Sequence, residues 1–295
     1  MSDTSNLDIP TPKNVKPGDD FYQNIKPSNN SSGQTMMFEP PAELVEIPTH
    51  GVHYKDITDD PDILERGSIR IRPMTVHEER ILTTNRIVKS GQAIDMVFRN
   101  VIKSKGKNGE PLDPSLLLSS DRIFLMLWLR SISYDNIYKF NLQCPNCEKR
   151  FEYEVDLAQH DIKELDPENT DPEPYEFVLP KWQYKVYYRL PRGVDELALA
   201  QSSKGVKKID ETDDTVVKRL ASIVLRVEDP QGNELPKQQI PSFIESMITG
   251  DASAFRKELE NRDAGIEDIK DIECPHCSYE YDTAIPITES FFRTN

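Results

Sequence analysis

The chain's four cysteines all lie in two short turns, Cys144-Pro145-Asn146-Cys147 and Cys274-Pro275-His276-Cys277, and no other feature restricts the fold as much. Each turn sits between stretches in which apolar and polar residues alternate. Ile137-Tyr138-Lys139-Phe140-Asn141-Leu142 precedes the first, and Phe151-Glu152-Tyr153-Glu154-Val155-Asp156-Leu157 follows it. Ile269-Lys270-Asp271-Ile272-Glu273 precedes the second, and Tyr279 to Ile285 follows it. A period of two marks half-exposed strands, so both turns are expected at the tips of β-hairpins. A C-x-x-C turn between strands directs both sulfurs to one side, and proline after the first cysteine presets the turn. Two such turns brought together place four thiolates at the corners of a tetrahedron, the arrangement of a structural Zn2+ site. The expected ligands are Cys144, Cys147, Cys274 and Cys277, in one zinc ribbon split by residues 148–273.

Other uses of the thiols fit less well. Two disulfides suit a secreted chain, and no secretory leader is read here. A redox C-x-x-C opens a helix, whereas strands follow both of these turns. Four sulfurs close the metal's shell and leave no position for water, which argues against catalytic zinc. His276 reads as a turn residue rather than a fifth ligand. Disulfide or redox chemistry and unpaired thiols remain as alternatives to structural zinc.

With 295 residues, the chain is long enough for two domains or for one domain with an insertion. No apolar run approaches the ~18 residues of a membrane span. The net charge of −15 opposes general binding to a phosphate backbone. That weighs against the nucleic-acid partners a zinc ribbon first suggests. Reduced cysteines imply synthesis in a cytosol.

The chain is expected to be α+β, with a helical core joined to the two zinc hairpins. Residues 1–45 read as an extended or disordered arm, broken by Pro10, Pro12, Pro17 and Pro27. Phe21, Tyr22 and Ile25 form one apolar anchor in the arm, and Met36, Met37 and Phe38 form another. Residues 46–157 form an N-terminal α+β part that ends in the first hairpin. Gly67 to Pro73 is read as a strand, Thr75 to Glu78 as a capping box, and helices are expected to about Lys89 and over Ala93 to Lys103. Ser119-Ser120-Asp121 is expected to cap a buried helix, Arg122 to Ser133. Residues 158–265 form an α+β insertion. It opens on an acidic loop, Asp161 to Pro174, followed by a hairpin of Tyr175–Leu179 and Tyr184–Leu190. Helices are expected over Asp195–Ser202, Asp213–Val227, Gln238–Ile248 and Ala252–Asn261. Residues 266–295 hold the second hairpin and a Phe291-Phe292 tail.

The sequence offers little catalytic chemistry. The chain has no phosphate-binding glycine loop, no H-E-x-x-H and no G-x-S-x-G. His50, His53, His77, His160 and His276 are scattered. His50 and His53, near Tyr54, read as surface-loop residues, with a site as the alternative. Asp59-Asp60 and Asp213-Asp214 read as turn and N-cap residues. Lys103-Ser104-Lys105-Gly106-Lys107 reads as a basic loop, with a phosphate patch as the alternative. Trp128 reads as a core anchor and Trp182 as a hairpin residue. No set of residues assembles into an enzyme site, small-molecule site or cofactor site other than the metal.

A family resemblance rests on residues in a fixed order. They are Ile47-Pro48 with Gly51 and Tyr54; Ile69-Arg70-Ile71-Arg72-Pro73-Met74-Thr75 with Glu78-Glu79; Asp121-Arg122 with Leu127, Leu129-Arg130 and Ile132-Ser133-Tyr134; Cys144-Pro145-x-Cys147; Leu179-Pro180; and Leu190-Pro191-Arg192-Gly193. From about Ile47 onward the chain resembles the baseplate hub assembly proteins of T-even-type contractile-tailed bacteriophages. The resemblance implies a structural or assembly role in the baseplate hub and partners among other tail or baseplate proteins, with the N-terminal arm as one means of contact. It also implies residence in the bacterial host cytoplasm during assembly or in the virion tail, and no catalytic residues. The long arm and the full second zinc half depart from the smaller family members and favour a virion component over a purely transient factor. A zinc-ribbon nucleic-acid or transcription-associated protein is the alternative; it calls for basic residues near the cysteines. Lys149 and Arg150 are there, outnumbered by Glu148, Glu152, Glu154, Glu273, Glu280 and Asp282.

Overall fold

The computed structural model describes residues 38–202, 215–287 and 289–292. The arm's Phe21–Ile25 anchor, Met36, Met37 and the Asp213-Asp214 pair lie outside these residues. The chain joins the fold at β1 (Glu43–Glu46), which pairs antiparallel with β2 (Ser68–Ile71) after a short α1 (Pro61–Leu64). Gly67 leads into β2 with φ of 61°, and a Cβ there would sit 2.7 Å from the His50 Cα. Only glycine fits both conditions.

The capping box at Thr75 forms as expected and opens α2 (Val76–Thr83). The helix does not run on to Lys89. It stops at Thr84 (ψ 100°) and restarts as α3 (Asn85–Lys89). The Thr83 and Thr84 hydroxyls bond back to the Glu79 and Arg80 carbonyls, and such local bonds compete with a continuing helix. Next, α4 (Ala93–Val101) ends two residues earlier than expected, because Ile102 bridges to Ile71 and the Lys103 amide bonds the Arg70 carbonyl.

The longest apolar stretch forms α5 (Ser119–Ser133), on which the core is built. Phe124, Leu125, Leu127, Leu129 and Ile132 are buried along it. The expected cap at Ser119–Asp121 is not a cap. Leu118 occupies the N-cap position, and Asp121 lies inside the first turn with its carboxylate turned into the protein. After α5 come β3 (Ile137–Gln143) and β4 (Arg150–Asp156), a seven-pair antiparallel hairpin with Tyr138, Phe140 and Leu142 facing the core.

The acidic segment after Leu157 is more ordered than a surface loop. Its β5 (Ile162–Lys163) pairs with β9 (Gly265–Ile266), and the Leu165 amide bonds the Pro48 carbonyl. This ladder ties the start of the long excursion to its end. Between these strands lie β6 (Tyr175–Val178) and β7 (Lys185–Tyr188), the expected hairpin, followed by α6 (Gly193–Ser202) and α7 (Thr215–Ile223). The helical spacing read through Val227 breaks at Val224. Val224–Glu228 is β8, the third strand beside β7. Its valines face the same core from a strand as they would from a helix, and pairing with β7 decides between the two. Then follow α8 (Ile240–Glu245), preceded by a single 3-10 turn, and α9 (Thr249–Arg262), which starts before Gly250 rather than after it. The second expected hairpin closes the chain as β10 (Ile269–Glu273) and β11 (Glu280–Thr283), with a 3-10 turn at Glu289–Phe292.

Asp251, fully buried in the first turn of α9, accepts the Lys181 and Trp182 amides at 2.8 and 3.0 Å. It holds the β6–β7 turn against the helix, beside the Trp182–Phe243 ring pair. Asp251→Ala leaves both amides without their acceptor. We expect a loss of about 2 kcal/mol in a urea melt, with smaller loss in Asp251→Asn.

Candidate metal centre

The two cysteine turns meet, although each belongs to a separate two-stranded sheet. Cys144 and Cys277 sulfurs lie 3.7 Å apart, and those of Cys147 and Cys274 lie 3.8 Å apart. All four fall within 4.8 Å of one another. These separations are far beyond the ~2.05 Å of a disulfide, and all four cysteines are free.

The two turns are built alike. The Cys144 amide bonds the Lys149 carbonyl, and the Cys274 amide bonds the Tyr279 carbonyl, each at 3.0 Å. The Glu148 and Ser278 amides return to the Cys144 and Cys274 carbonyls at 2.9 Å. Glu148 and Ser278 both take left-handed φ values, 59° and 53°, which reverse the chain immediately after the second cysteine. Backbone amides also aim at the first sulfur of each turn: Cys147 N to Cys144 Sγ and His276 N to Cys274 Sγ, both 3.5 Å. Such donors stabilise thiolates. The Tyr279 amide lowers the Cys277 thiol to about 7, whereas at Cys147 the lowering by the Lys149 amide is outweighed by burial and the three neighbouring sulfurs, which raise it to about 12. Negative charge on four neighbouring sulfurs is self-repelling, and a cation placed among them removes that cost. Cys144 and Cys274 are fully buried, while Cys277 is exposed, so the cluster sits at the protein surface. The arrangement can hold one metal ion.

The five histidines, the basic loop and Trp128 do not join this centre. His50 pairs with Glu46 at 3.1 Å, while His53 turns the other way to the Tyr175 hydroxyl at 3.2 Å. His160 bonds the Glu267 carbonyl beside the β5–β9 ladder. His77 and His276 are exposed. The basic loop is matched by carboxylates: Lys103 pairs with Glu39, Lys107 with Asp59 at 2.8 Å, and the Lys105 amide with Asp60. Trp128 is half-buried and donates its indole N–H to Glu43.

A buried polar framework, not anticipated from the sequence as a unit, runs through the residues that carry the resemblance. Asp121, fully buried, accepts the Thr49 amide and hydroxyl and the Tyr54 hydroxyl. The Tyr54 oxygen in turn takes the Leu118 amide at 3.0 Å. Arg122 pairs with Asp95 at 2.9 Å. Arg72 makes a two-pronged bond to Glu78, and Arg192 joins Glu173 at 2.7 Å. Arg130 and Tyr134 donate to the carbonyls of Phe291 and Phe292. The available sequence signal was a row of charged residues inside otherwise apolar helix and strand segments.

This framework sets a pH dependence. Burial raises the Asp121 carboxyl from 3.8 to about 6, against the lowering effect of its hydrogen bonds from Thr49 and Tyr54. A folded-state value above the unfolded one means that the native protein holds the proton more tightly. Stability is then greatest below about pH 4 and falls as pH rises through 6. Glu78 acts oppositely and lower down. Burial raises it, but Arg72 and the Thr75 amide and hydroxyl outweigh burial and leave it at about 2, so its contribution is lost only as pH falls from 4.5 toward 2. The unfolding free energy from urea melts should fall by on the order of 2 kcal/mol between pH 4.5 and 6.5 in the wild type and stay flatter in Asp121→Asn. Equal slopes in the two proteins would exclude Asp121 as the source.

Among the described residues, no helix is long and apolar enough to cross a membrane. Comparison with curated proteins and with solved structures returned no match. Comparison with protein families matched the one described as T4 bacteriophage base plate protein, over residues 57–293, a span that takes in α2 to α9, both hairpins and all four cysteines. The chain therefore belongs to the T4 bacteriophage base plate protein family.

Proposed function

We propose that the protein is a structural or assembly subunit of the baseplate hub, folded around one Zn2+ held by Cys144, Cys147, Cys274 and Cys277. It acts through contacts with other tail proteins. The family match over residues 57–293 carries the baseplate reading. The metal reading is supported by the sulfur geometry. A tetrahedron of sulfurs ~2.3 Å from a central zinc has edges of ~3.8 Å; two of the cluster's edges are 3.7 and 3.8 Å, and all lie within 4.8 Å. Four thiolates favour zinc or iron over harder cations. They also complete the shell, so the ion's role is to join the hairpins rather than to activate water. The strands beside the cluster expose Glu152, Glu154, Glu273, Glu280 and Asp282, an acidic face suited to protein partners and unsuited to a phosphate backbone. The N-terminal arm is a further contact for neighbouring subunits.

Two measurements test this. Elemental analysis of the purified chain should return one zinc per chain, released only by strong chelation; iron would overturn the choice of metal, and no metal would overturn the centre. Peptide mapping of purified phage particles should recover the protein at a fixed ratio to the other baseplate subunits. Its absence from particles, together with its presence in assembly intermediates, would leave the assembly-factor form alone.

A further inference from the structure

The four sulfurs share their hydrogen-bond donors unevenly. Each has a backbone amide of its own turn. Cys147 N lies 3.5 Å from Cys144 Sγ and His276 N lies 3.5 Å from Cys274 Sγ, while the Lys149 and Tyr279 amides act on Cys147 and Cys277. Among the described residues, a single side chain joins them. The Asn146 amide nitrogen stands 3.7 Å from Cys277 Sγ, across the join between the two hairpins. Asparagine in a turn commonly bonds its own backbone two residues on. Asn146 is directed instead to a sulfur 131 residues away.

This bond is one-sided, although the cluster is close to two-fold. Exchanging Cys144 with Cys274 and Cys147 with Cys277 converts the 3.7 Å sulfur pair into the 3.8 Å pair. The same exchange carries Asn146 onto His276, whose side chain is exposed and whose contact with the cluster is its backbone amide. The extra donor serves the sulfur most open to solvent. Cys277 is exposed, Cys147 is half-buried, and Cys144 and Cys274 are buried. A shell of four thiolates opens first where water and acid reach a sulfur. An N–H donor takes up part of that sulfur's charge and fixes its side chain, without displacing it from a metal.

We propose, on the basis of the zinc centre proposed above, that Asn146 is a positioning residue for it. From the first hairpin, its side-chain amide holds the Cys277 sulfur of the second in the ligand set and so slows loss of the ion.

The test uses the full-length chain purified with its zinc. Transfer of zinc to the chelator pyridylazoresorcinol is followed in wild type, Asn146→Ala, Asn146→Asp and His276→Ala. Asn146→Asp keeps the shape of the side chain and removes the donor. Both Asn146 variants should release zinc about tenfold faster than wild type, the scale of losing an outer-shell partner. His276→Ala should release it at the wild-type rate. In the Co2+-loaded chain, the sulfur-to-metal charge-transfer band should move to longer wavelength in both Asn146 variants, because a sulfur without its donor gives up electron density more readily. A merely looser turn would leave that band in place. Wild-type release, or an unmoved band, in metal-loaded Asn146→Ala overturns the role of Asn146 and leaves the zinc centre standing. Equal acceleration in His276→Ala also overturns it, since any exposed turn residue would then act alike. A wild-type chain that takes up neither zinc nor cobalt overturns both the role and the centre.

Discussion

Cys274→Ser is expected to lower stability by about 4–5 kcal/mol and to make the protein insensitive to chelators. The second hairpin explains the size of the effect. Strands β10 and β11 form their own two-stranded sheet and share no backbone ladder with β3 and β4. Ile269, Ile272 and Ile285 anchor the hairpin to the core, and the Tyr138 hydroxyl reaches the Pro286 carbonyl at 3.1 Å. Beyond these contacts, the two tips meet at their sulfurs and at the Asn146 side-chain amide, which lies 3.7 Å from the Cys277 sulfur. With an ion bound as proposed, losing one thiolate from the four-sulfur shell would weaken its hold and leave the remaining sulfurs facing one another. Cys147→Ser should behave similarly. The readouts are urea denaturation with and without a chelator and the zinc content of the folded variant. If wild type and Cys274→Ser unfold alike under both conditions, no metal contributes to this fold.

Phe291→Ala is expected to cost about 3–5 kcal/mol, as much as a central core residue. Phe291 is fully buried near the end of the chain. Its ring meets Tyr138 edge-on at 4.8 Å and Phe292 at 4.9 Å. The Arg130 guanidinium lies between the same rings, 4.8 Å from Tyr138 and 5.5 Å from Phe291, while donating to the Phe291 carbonyl. Truncation opens a cavity and removes a face from a buried cation. Phe291→Leu, which retains most of the volume, should cost under about 1.5 kcal/mol. A loss below 1 kcal/mol in Phe291→Ala would show that the tail is peripheral.

The elements readable in advance were those decided by near neighbours. Thr75 and Glu78 stand three apart, so their reciprocal cap needs no distant partner. The hairpins around both cysteine turns follow from alternation on either side of a tight turn, and α5 from its apolar run. The elements misread were those in which two local answers were equally good. Val224 and Val227 suit the face of a helix and the face of a strand, and β7 alongside settles the matter. Ser119-Ser120-Asp121 has the composition of a cap, yet Thr49 and Tyr54, some seventy residues earlier, offer Asp121 better donors inside the core. The two-residue β5–β9 pairing is too short to leave any periodicity.

The cysteine cluster divides along the same line. The sequence alone determined that four thiols would stand in two like-shaped turns, because turn shape depends on a few backbone angles and the proline at each site. Only the tertiary structure decided that Cys144 meets Cys277 and Cys147 meets Cys274, across separations of 133 and 127 residues. The same holds for the phenylalanine at the chain's end, which completes the core beneath the first hairpin. Contacts across such distances are selected by the summed burial of the whole chain, and that sum cannot be evaluated from any one segment.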